Sequence, residues 1–288
     1  MLVRLSLAAV WLLHFLPFPL LRGLGLGFGL LLFLFGRERR RVARINIGLC
    51  FPELDKHQRR RLLRRHFMAF GRSVLERGII WWGSRERVKR RVKIEGVEHW
   101  EAVQAGPVIW LAPHFVGLDM GGVRLTADYP LVSIYSRQKN AAFDAILRHG
   151  RTRLGPTTLY SRQDGVLPVV RALKKGLPFY YLPDQDFGAK DALFVAFFGI
   201  PAATVTALPR IAKLAGAAVV PAITRQTRDG YVLRFYPAWE NYPSGDLEQD
   251  TRRMNEFIEA RVREMPEQYF WLHKRFKTRP LGQARFYR

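Results

Sequence analysis

The sequence WLAPHFVGLD, at residues 110–119, predicts a β-strand, a loop and the start of a helix. The strand is the apolar run at residues 108–112, and Pro113 ends it because proline has no N–H to donate to a sheet ladder. His114 is therefore expected at the C-terminal edge of a sheet, where open α/β folds hold their ligands. Asp119 follows five residues later.

The spacing of His114 and Asp119 suggests an acid–base pair. On one continuous helix the two side chains would lie about 140° apart, at roughly 100° per residue, but a strand–loop–helix joint lets the carboxylate reach the imidazole. A carboxylate that accepts the Nδ1–H bond leaves Nε2 free as a base. No Ser or Cys adjoins the pair, so the expected acceptor is a hydroxyl of the substrate. Alternatively, His114 only caps a helix and Asp119 is a solvated surface charge.

The composition limits the kinds of partner. The 288 residues include 47 Lys and Arg but 24 Asp and Glu, which gives a formal net charge of +23. This charge requires an anionic partner: a nucleic acid, an anionic lipid surface, a phosphorylated substrate or an acidic protein. The single cysteine, Cys50, excludes an internal disulfide and a cysteine-based zinc cluster. The seven His residues show no metal-ligand spacing, so neither a metal nor a cofactor is expected.

Residues 1–36 are predicted to form a membrane anchor. The apolar runs at 5–21 and 23–35 together exceed the roughly 20 residues that span a bilayer, and no cleavage site follows them. Pro17 and Pro19 leave open an interfacial or re-entrant segment. Five arginines at residues 37–44, against one before the apolar runs, place the C-terminal part on the cytoplasmic side.

A basic helical segment at residues 37–91 is predicted to lie next to the membrane. Its helix is expected over residues 58–74, where arginines close to an anchor favour lipid phosphates at about 1 kcal/mol per basic residue. A solvated helix face is the alternative. The IIWW cluster at residues 79–82 suits either a membrane interface or the protein core.

Residues 92–288 alternate between predicted strands and helices. This alternation predicts an α/β domain with a central mixed sheet covered by helices. Strands are expected at residues 92–95, 108–112, 131–136, 178–182, 217–223 and 231–236. Helices are expected at residues 97–104, 118–127, 141–148, 167–174 and 207–215.

Several motifs resemble one known family. HxxxxD after a strand is the signature of the glycerolipid and lysophospholipid acyltransferase superfamily. Within it, the chain resembles the late acyltransferases of lipid A biosynthesis, of the lauroyl or myristoyl type. The shared motifs are RxNxxxxFP from residue 44, GRxR from residue 150, PDQD from residue 183 and FxxFFG from residue 194. The likeness extends from about residue 40 to 280, and residues 267–280 resemble the family's closing helix, at a membrane interface or packed on the core.

The resemblance implies roles for seven residues. His114 and Asp119 would form the catalytic pair, and Arg151 would stabilise a thioester oxyanion or bind a donor phosphate. The expected substrate-binding residues are Arg137, Arg151, Arg153, Asp184 and Asp186. Surface charge is the alternative for Arg137, which stands one position later than the family's arginine, and for Arg153. The two aspartates are expected to orient substrate or to hydrogen-bond a loop, with metal ligation as the alternative.

The resemblance also implies an O-acyltransferase of lipopolysaccharide biosynthesis at the bacterial inner membrane. Its donor would be acyl carrier protein, and its acceptor a fatty-chain hydroxyl of a phosphorylated lipid A precursor. An anionic membrane surface would be a third partner. One alternative is an enzyme of the same superfamily that acts on a lysophospholipid or a mannosylated glycolipid. The other is a membrane-tethered nucleic-acid-binding protein, although no such motif is present and no nucleic acid is expected.

Overall fold

The alternating part of the chain builds a seven-stranded sheet. A computed structural model describes residues 2–287, and within them the chain forms nine strands. These are β1 (Val92–Glu95), β2 (Val108–Leu111), β3 (Leu131–Tyr135), β4 (Thr157–Ser161), β5 (Phe179–Tyr181), β6 (Ala192–Phe197), β7 (Ile200–Val205), β8 (Ala218–Gln226) and β9 (Tyr231–Phe235). The main sheet has the order β1-β9-β8-β2-β5-β3-β4, and all neighbours are parallel except the antiparallel pair β8–β9.

Eleven α-helices accompany these strands within residues 2–287. They are α1 (Leu2–Leu13), α2 (Phe18–Phe35), α3 (Arg37–Cys50), α4 (Lys56–Trp82), α5 (Arg85–Arg91), α6 (Val97–Glu101), α7 (Leu118–Thr126), α8 (Ala141–Thr152), α9 (Leu167–Lys174), α10 (Ala207–Ala215) and α11 (Leu247–Glu264). Helices cover both faces of the sheet, so the predicted α/β fold with a mixed central sheet is confirmed. All six predicted strands and the five helices predicted between residues 97 and 215 are present, with ends shifted by a few residues.

The central strand β2 is buried on both faces. Ile109 and Leu111 belong to a core that includes side chains of α9, α10 and α11. Trp110 and Ala112 belong to a second core, which includes α7 and the C-terminal half of α4. A strand covered on both faces has a continuous apolar sequence, which explains why the run at 108–112 predicted it correctly.

Three strands carry a weak sequence signal and were not predicted. The edge strand β4 has the polar sequence TTLYS, and no residue in it is fully buried. Strands β6 and β7 form a separate antiparallel hairpin, which contains the FxxFFG motif. Its two-residue turn has positive φ at Phe198 (52°) and Gly199 (73°). Phe197 is fully buried, whereas Phe194 is 38% exposed.

The prediction of a helix over residues 267–280 is wrong. The structure has only a short 3-10 turn there, Pro266–Gln268, and irregular chain beyond it. The helix near the C-terminus is α11, which the sequence analysis missed. Trp271 and Phe276 are 1% and 0% exposed, so this tail is part of the core and does not form a membrane interface. The IIWW cluster likewise lies mainly in the core, since Trp81 is 4% exposed.

The apolar N-terminus forms two helices that pack on α4. Pro17 lies between α1 and α2, and Pro19 lies in the first turn of α2. Among the described residues, α2 is the one helix long and apolar enough to cross a membrane, and only 22% of it is buried. Its buried stripe includes Gly25 and Gly29, which lie against Arg72 and Met68 of α4. The glycines therefore serve close packing within one chain.

We expect Gly29→Ala to weaken the α2–α4 contact. A Cβ at this position would lie 2.5 Å from the Cα of Met68, a backbone atom that cannot rotate away. Overpacking of this kind costs about 1–3 kcal/mol. Gly27→Ala is the matched control, because a Cβ there meets nothing within 4 Å. Thermal unfolding in detergent should show a lower midpoint for Gly29→Ala alone, and equal midpoints would contradict the packing described.

Candidate active site

The parallel pairing of β2 with β5 places two loop residues side by side. Leu111 is the register partner of Tyr181, and the Ala112 N–H donates to the Tyr181 carbonyl at 2.8 Å. His114 and Asp184 each follow these partners by three residues, and each comes directly after a proline. The two strands therefore bring an imidazole and a carboxylate to the same point of the C-terminal sheet edge.

The Asp184 carboxylate holds both the ring and the backbone of His114. Its Oδ1 lies 2.7 Å from Nδ1, and its two oxygens accept the His114 backbone N–H at 3.1 and 3.0 Å. Burial alone would raise the pKa of Asp184, but the charge and hydrogen bonds of His114 outweigh it and lower the pKa below its usual value. The ionised carboxylate keeps a proton on Nδ1 and leaves Nε2 as a base. Within residues 2–287, Nε2 has no hydrogen-bond partner.

Asp119 does not pair with His114, so the predicted hydrogen bond between them is wrong. Asp119 accepts instead from Arg151 Nη2 at 3.0 Å and from Arg77 Nε at 3.1 Å. The reason is geometric: β5 presents Asp184 directly to the imidazole, whereas α7 begins at Leu118 and carries Asp119 towards α4 and α8. Burial would raise the pKa of Asp119, but the two guanidinium groups outweigh it and hold the pKa well below the usual range.

Arg77 is a residue of the site that the sequence analysis missed. It lies on α4 and bonds both through Nε and through Nη2, each 3.1 Å from Asp119 Oδ2. A single arginine in a basic helix carries no sequence signal of its own. Only the packing of α4 across the sheet edge identifies it.

Three predicted substrate-binding residues form no described hydrogen bond or ion pair with His114. The Arg153 guanidinium donates to the carbonyls of Ile80 and Gly83, at the C-terminal end of α4. Asp186 accepts from the Thr278 N–H at 2.6 Å and from the Thr278 hydroxyl at 2.8 Å. Arg137 lines a separate shallow pocket with Lys139 and Arg148. Asp186 thus hydrogen-bonds a loop, and of the five predicted residues Arg151 and Asp184 are the ones that lie beside the histidine.

Two cavities meet at His114. The larger, which we call the main cleft, has a volume of about 670 Å³. Its apolar lining includes Leu147, Val166, Tyr181, Ile211 and Leu214. Its basic lining consists of Arg151, Arg162, Lys190 and Arg210. The smaller, which we call the α4 pocket, has a volume of about 120 Å³ and is lined by Phe70, Ser73, Arg77, Asp119 and Phe270, among others.

The site provides a base but no cluster suited to a metal. Among the described residues, no group of three or more His, Cys, Asp or Glu side chains is placed to hold an ion. A histidine oriented by a buried carboxylate can remove a proton from a hydroxyl, and the adjacent guanidinium can stabilise a developing oxyanion. Fold and site together define an α/β enzyme that works by acid–base chemistry beside a largely apolar cleft.

Comparison with known proteins assigns the family. The family model for bacterial lipid A biosynthesis acyltransferases matches residues 1–278. The lipid A biosynthesis lauroyltransferase of Escherichia coli is 34% identical over 96% of this chain and 92% of its own length. The palmitoleoyltransferase of the same organism is 32% identical over 98% and 93%, and its myristoyltransferase 31% identical over 88% and 80%. The chain belongs to the bacterial lipid A biosynthesis acyltransferase family, as the motifs predicted, and is an acyltransferase.

We expect Asp184→Asn to lower kcat by about 10²–10⁴-fold. The amide of asparagine neither fixes the same tautomer of His114 nor stabilises its imidazolium form. Asp186→Asn is the matched control, since both aspartates are 2% exposed but Asp186 bonds Thr278. Asp186→Asn should lower the free energy of unfolding and leave kcat nearly unchanged. Equal losses of kcat in two folded variants, or no loss in Asp184→Asn, would contradict the assignment.

Asp119 should make stability depend on pH. Its pKa is depressed in the folded state, so its stabilising contribution is complete above about pH 4, the unfolded value, and is lost as the pH falls below it. Asp119→Asn should therefore unfold at a lower urea concentration than wild type at pH 7. The difference should narrow below pH 4. A difference that stays constant with pH would show that the ion pairs to Arg77 and Arg151 do not stabilise the fold.

Proposed function

We propose that this enzyme transfers a fatty acyl chain from acyl carrier protein to a hydroxyl of a phosphorylated lipid A precursor, as a secondary acylation in lipopolysaccharide biosynthesis. The observation that carries the proposal is the His114–Asp184 pair at the junction of the two cavities. Family membership over residues 1–278 supports the substrate class. The named relatives differ in the acyl chain they transfer, so chain length is a property of each member.

In the proposed transfer, His114 is the base. Nε2 takes the proton of the acceptor hydroxyl as its oxygen attacks the thioester carbonyl. A C–O bond forms, the C–S bond breaks, and the imidazolium returns the proton to the departing thiolate. Asp184 stabilises the positive charge while it is present. Arg151 lines both cavities and supplies a guanidinium for the oxyanion, with Asp119 and Arg77 holding its position.

The main cleft suits a donor that is part apolar and part anionic. Its apolar side chains provide walls for a hydrocarbon chain. Arg162, Lys190 and Arg210 provide charge for the phosphate of the carrier's prosthetic arm. These basic residues contribute part of the formal net charge of +23, and binding of the donor phosphate gives them a role.

Acyl transfer is proposed to be direct, without an acyl-enzyme. The single cysteine is 2% exposed, and burial, with a smaller contribution from Glu259, raises the pKa of its thiol far above the usual range. A thiol that stays protonated is a poor nucleophile. Cys50 also lines neither of the two cavities.

The enzyme is proposed to act at the cytoplasmic side of the inner membrane. Of the fifteen exposed large apolar side chains among the described residues, ten lie at residues 5–35, which favours residues 1–36 as the anchor. Residues 37–91 would contact anionic lipid through exposed arginines of α4, such as Arg60 and Arg64. Residues 92–288 would hold the chemistry.

We expect His114→Ala to lose at least about 10²-fold in turnover while the protein still folds. The assay supplies acyl carrier protein loaded with a fatty acid and a lipid A precursor, and mass spectrometry detects the product. Cys50→Ser is the control and should stay active. Intact mass after mixing with donor alone should show no acyl adduct.

Two results would contradict this function. An acyl group bound covalently to the protein, or near wild-type turnover in His114→Ala, would contradict the direct mechanism. Faster transfer to a lysophospholipid or a mannosylated glycolipid than to the lipid A precursor would contradict the acceptor. Filter binding of nucleic acid by the same preparation should be weak and abolished by moderate salt.

A further inference from the structure

The two cavities approach His114 from different sides. Of the described residues that line them, they share three: His114, Arg151 and Leu182. Direct transfer requires donor and acceptor at the base at the same time. A site with two openings that meet at one imidazole provides for this, because each substrate can occupy its own cavity.

The α4 pocket borders the helix on which the N-terminal helices pack. Phe70, Ser73 and Arg77 of α4 form one wall of the pocket. The same helix carries α1 and α2 on its surface, and α2 lies close to it along the buried glycines. The helix that is apolar enough to cross a membrane is thus attached to the element that forms this pocket.

The main cleft lies on the side of α9 and α10. Helix α10 contributes Arg210, Ile211 and Leu214 to its lining, and Val166 precedes α9. These two helices pack on each other, on β3 and on α11, whereas α2 packs chiefly on α4. Helix α1 packs on α4 and on α8, and α8 also contributes Leu147 and Arg151 to the cleft. The cleft volume of about 670 Å³, against about 120 Å³ for the α4 pocket, leaves room for an acyl chain together with the carrier's prosthetic arm.

The outer surface of α9 and α10 combines charge with exposed apolar side chains. Neither helix contains Asp or Glu. Their exposed basic side chains are Arg171, Lys174, Arg210 and Lys213. Leu167 is 61% exposed and Leu214 is 52% exposed, and both lie beside the cleft or line it. Apolar side chains surrounded by cations form a surface that fits an acidic protein, since the charges steer encounter and the apolar contacts hold the complex.

We propose that the acidic acyl carrier protein docks on α9 and α10 and delivers its thioester through the main cleft, while the lipid acceptor reaches His114 through the α4 pocket. The inference rests on the proposed function and adds which side each substrate uses. A membrane contact of α9 and α10 is less favoured, because the exposed apolar surface at residues 5–35 belongs to α1, α2 and the turn between them.

The test is two-substrate kinetics on the full-length enzyme in micelles of a neutral detergent. The donor-side variant combines Arg171→Glu, Lys174→Glu and Lys213→Glu, all exposed and outside the lining of either cavity. We expect it to raise KM for the carrier-bound donor at least about tenfold, with kcat and the acceptor KM nearly unchanged. With the same acyl chain on pantetheine, which lacks the carrier, the variant should match wild type. Added salt should reduce the difference.

Charge reversal on α4 is the matched control. Arg60→Glu with Arg64→Glu changes exposed arginines of a helix that does not border the main cleft. It should leave the donor KM unchanged and weaken binding to vesicles that contain phosphatidylglycerol. On the acceptor side, Ser73→Leu narrows the α4 pocket and should raise the acceptor KM alone.

The possible results separate the two proposals. If wild type transfers no acyl group from carrier to lipid A precursor, the proposed function fails. If wild type is active but the α9–α10 variant has the donor KM of wild type, the docking inference alone is overturned. Weaker vesicle binding by that variant, with an unchanged donor KM, would identify a membrane surface and also overturn it.

Discussion

The structure of the site depends on the hydrogen bond between the Asp184 carboxylate and the His114 imidazole. That bond exists because β2 and β5 are parallel neighbours in register, and because each strand ends three residues before the residue concerned. The carboxylate is buried, and its bonds to the backbone N–H and to the ring of His114 hold both the position of the loop and the tautomer of the ring. Strand pairing therefore determines which atom of the histidine is available to a substrate.

A second group of charges, separate from the His114–Asp184 pair, lies at the same edge of the sheet. Asp119 lies between Arg77 and Arg151, and these ion pairs join α4, α7 and α8 at the edge of the sheet. A guanidinium held in this way loses little freedom when an oxyanion forms, which is the advantage of a site organised before the reaction. The HxxxxD motif thus contributes its two residues to different contacts: the histidine to Asp184, and the aspartate to the arginines.

Much of the fold could be predicted from the sequence. The apolar runs of β2, β5 and β8 are buried on both faces, and such runs give a clear signal. The hairpin of β6 and β7, the polar edge strand β4 and the helix α11 lack that signal. The partner of His114 was mistaken because Asp119 is close in sequence, while Asp184 is close only once β5 lies beside β2, with β3 and β4 between them in the chain. The strand–Pro pattern before both His114 and Asp184 is the sequence signal that could have identified this pair.

The central claim is that Asp184, and not Asp119, holds the proton on Nδ1 of His114. Proton NMR of enzyme labelled with ¹⁵N-histidine measures this directly, and His114→Gln assigns the resonance. The account predicts a downfield Nδ1–H signal at neutral pH that is lost in Asp184→Asn and kept in Asp119→Asn. A signal that survives in Asp184→Asn, or that disappears in Asp119→Asn while the protein stays folded, would contradict it.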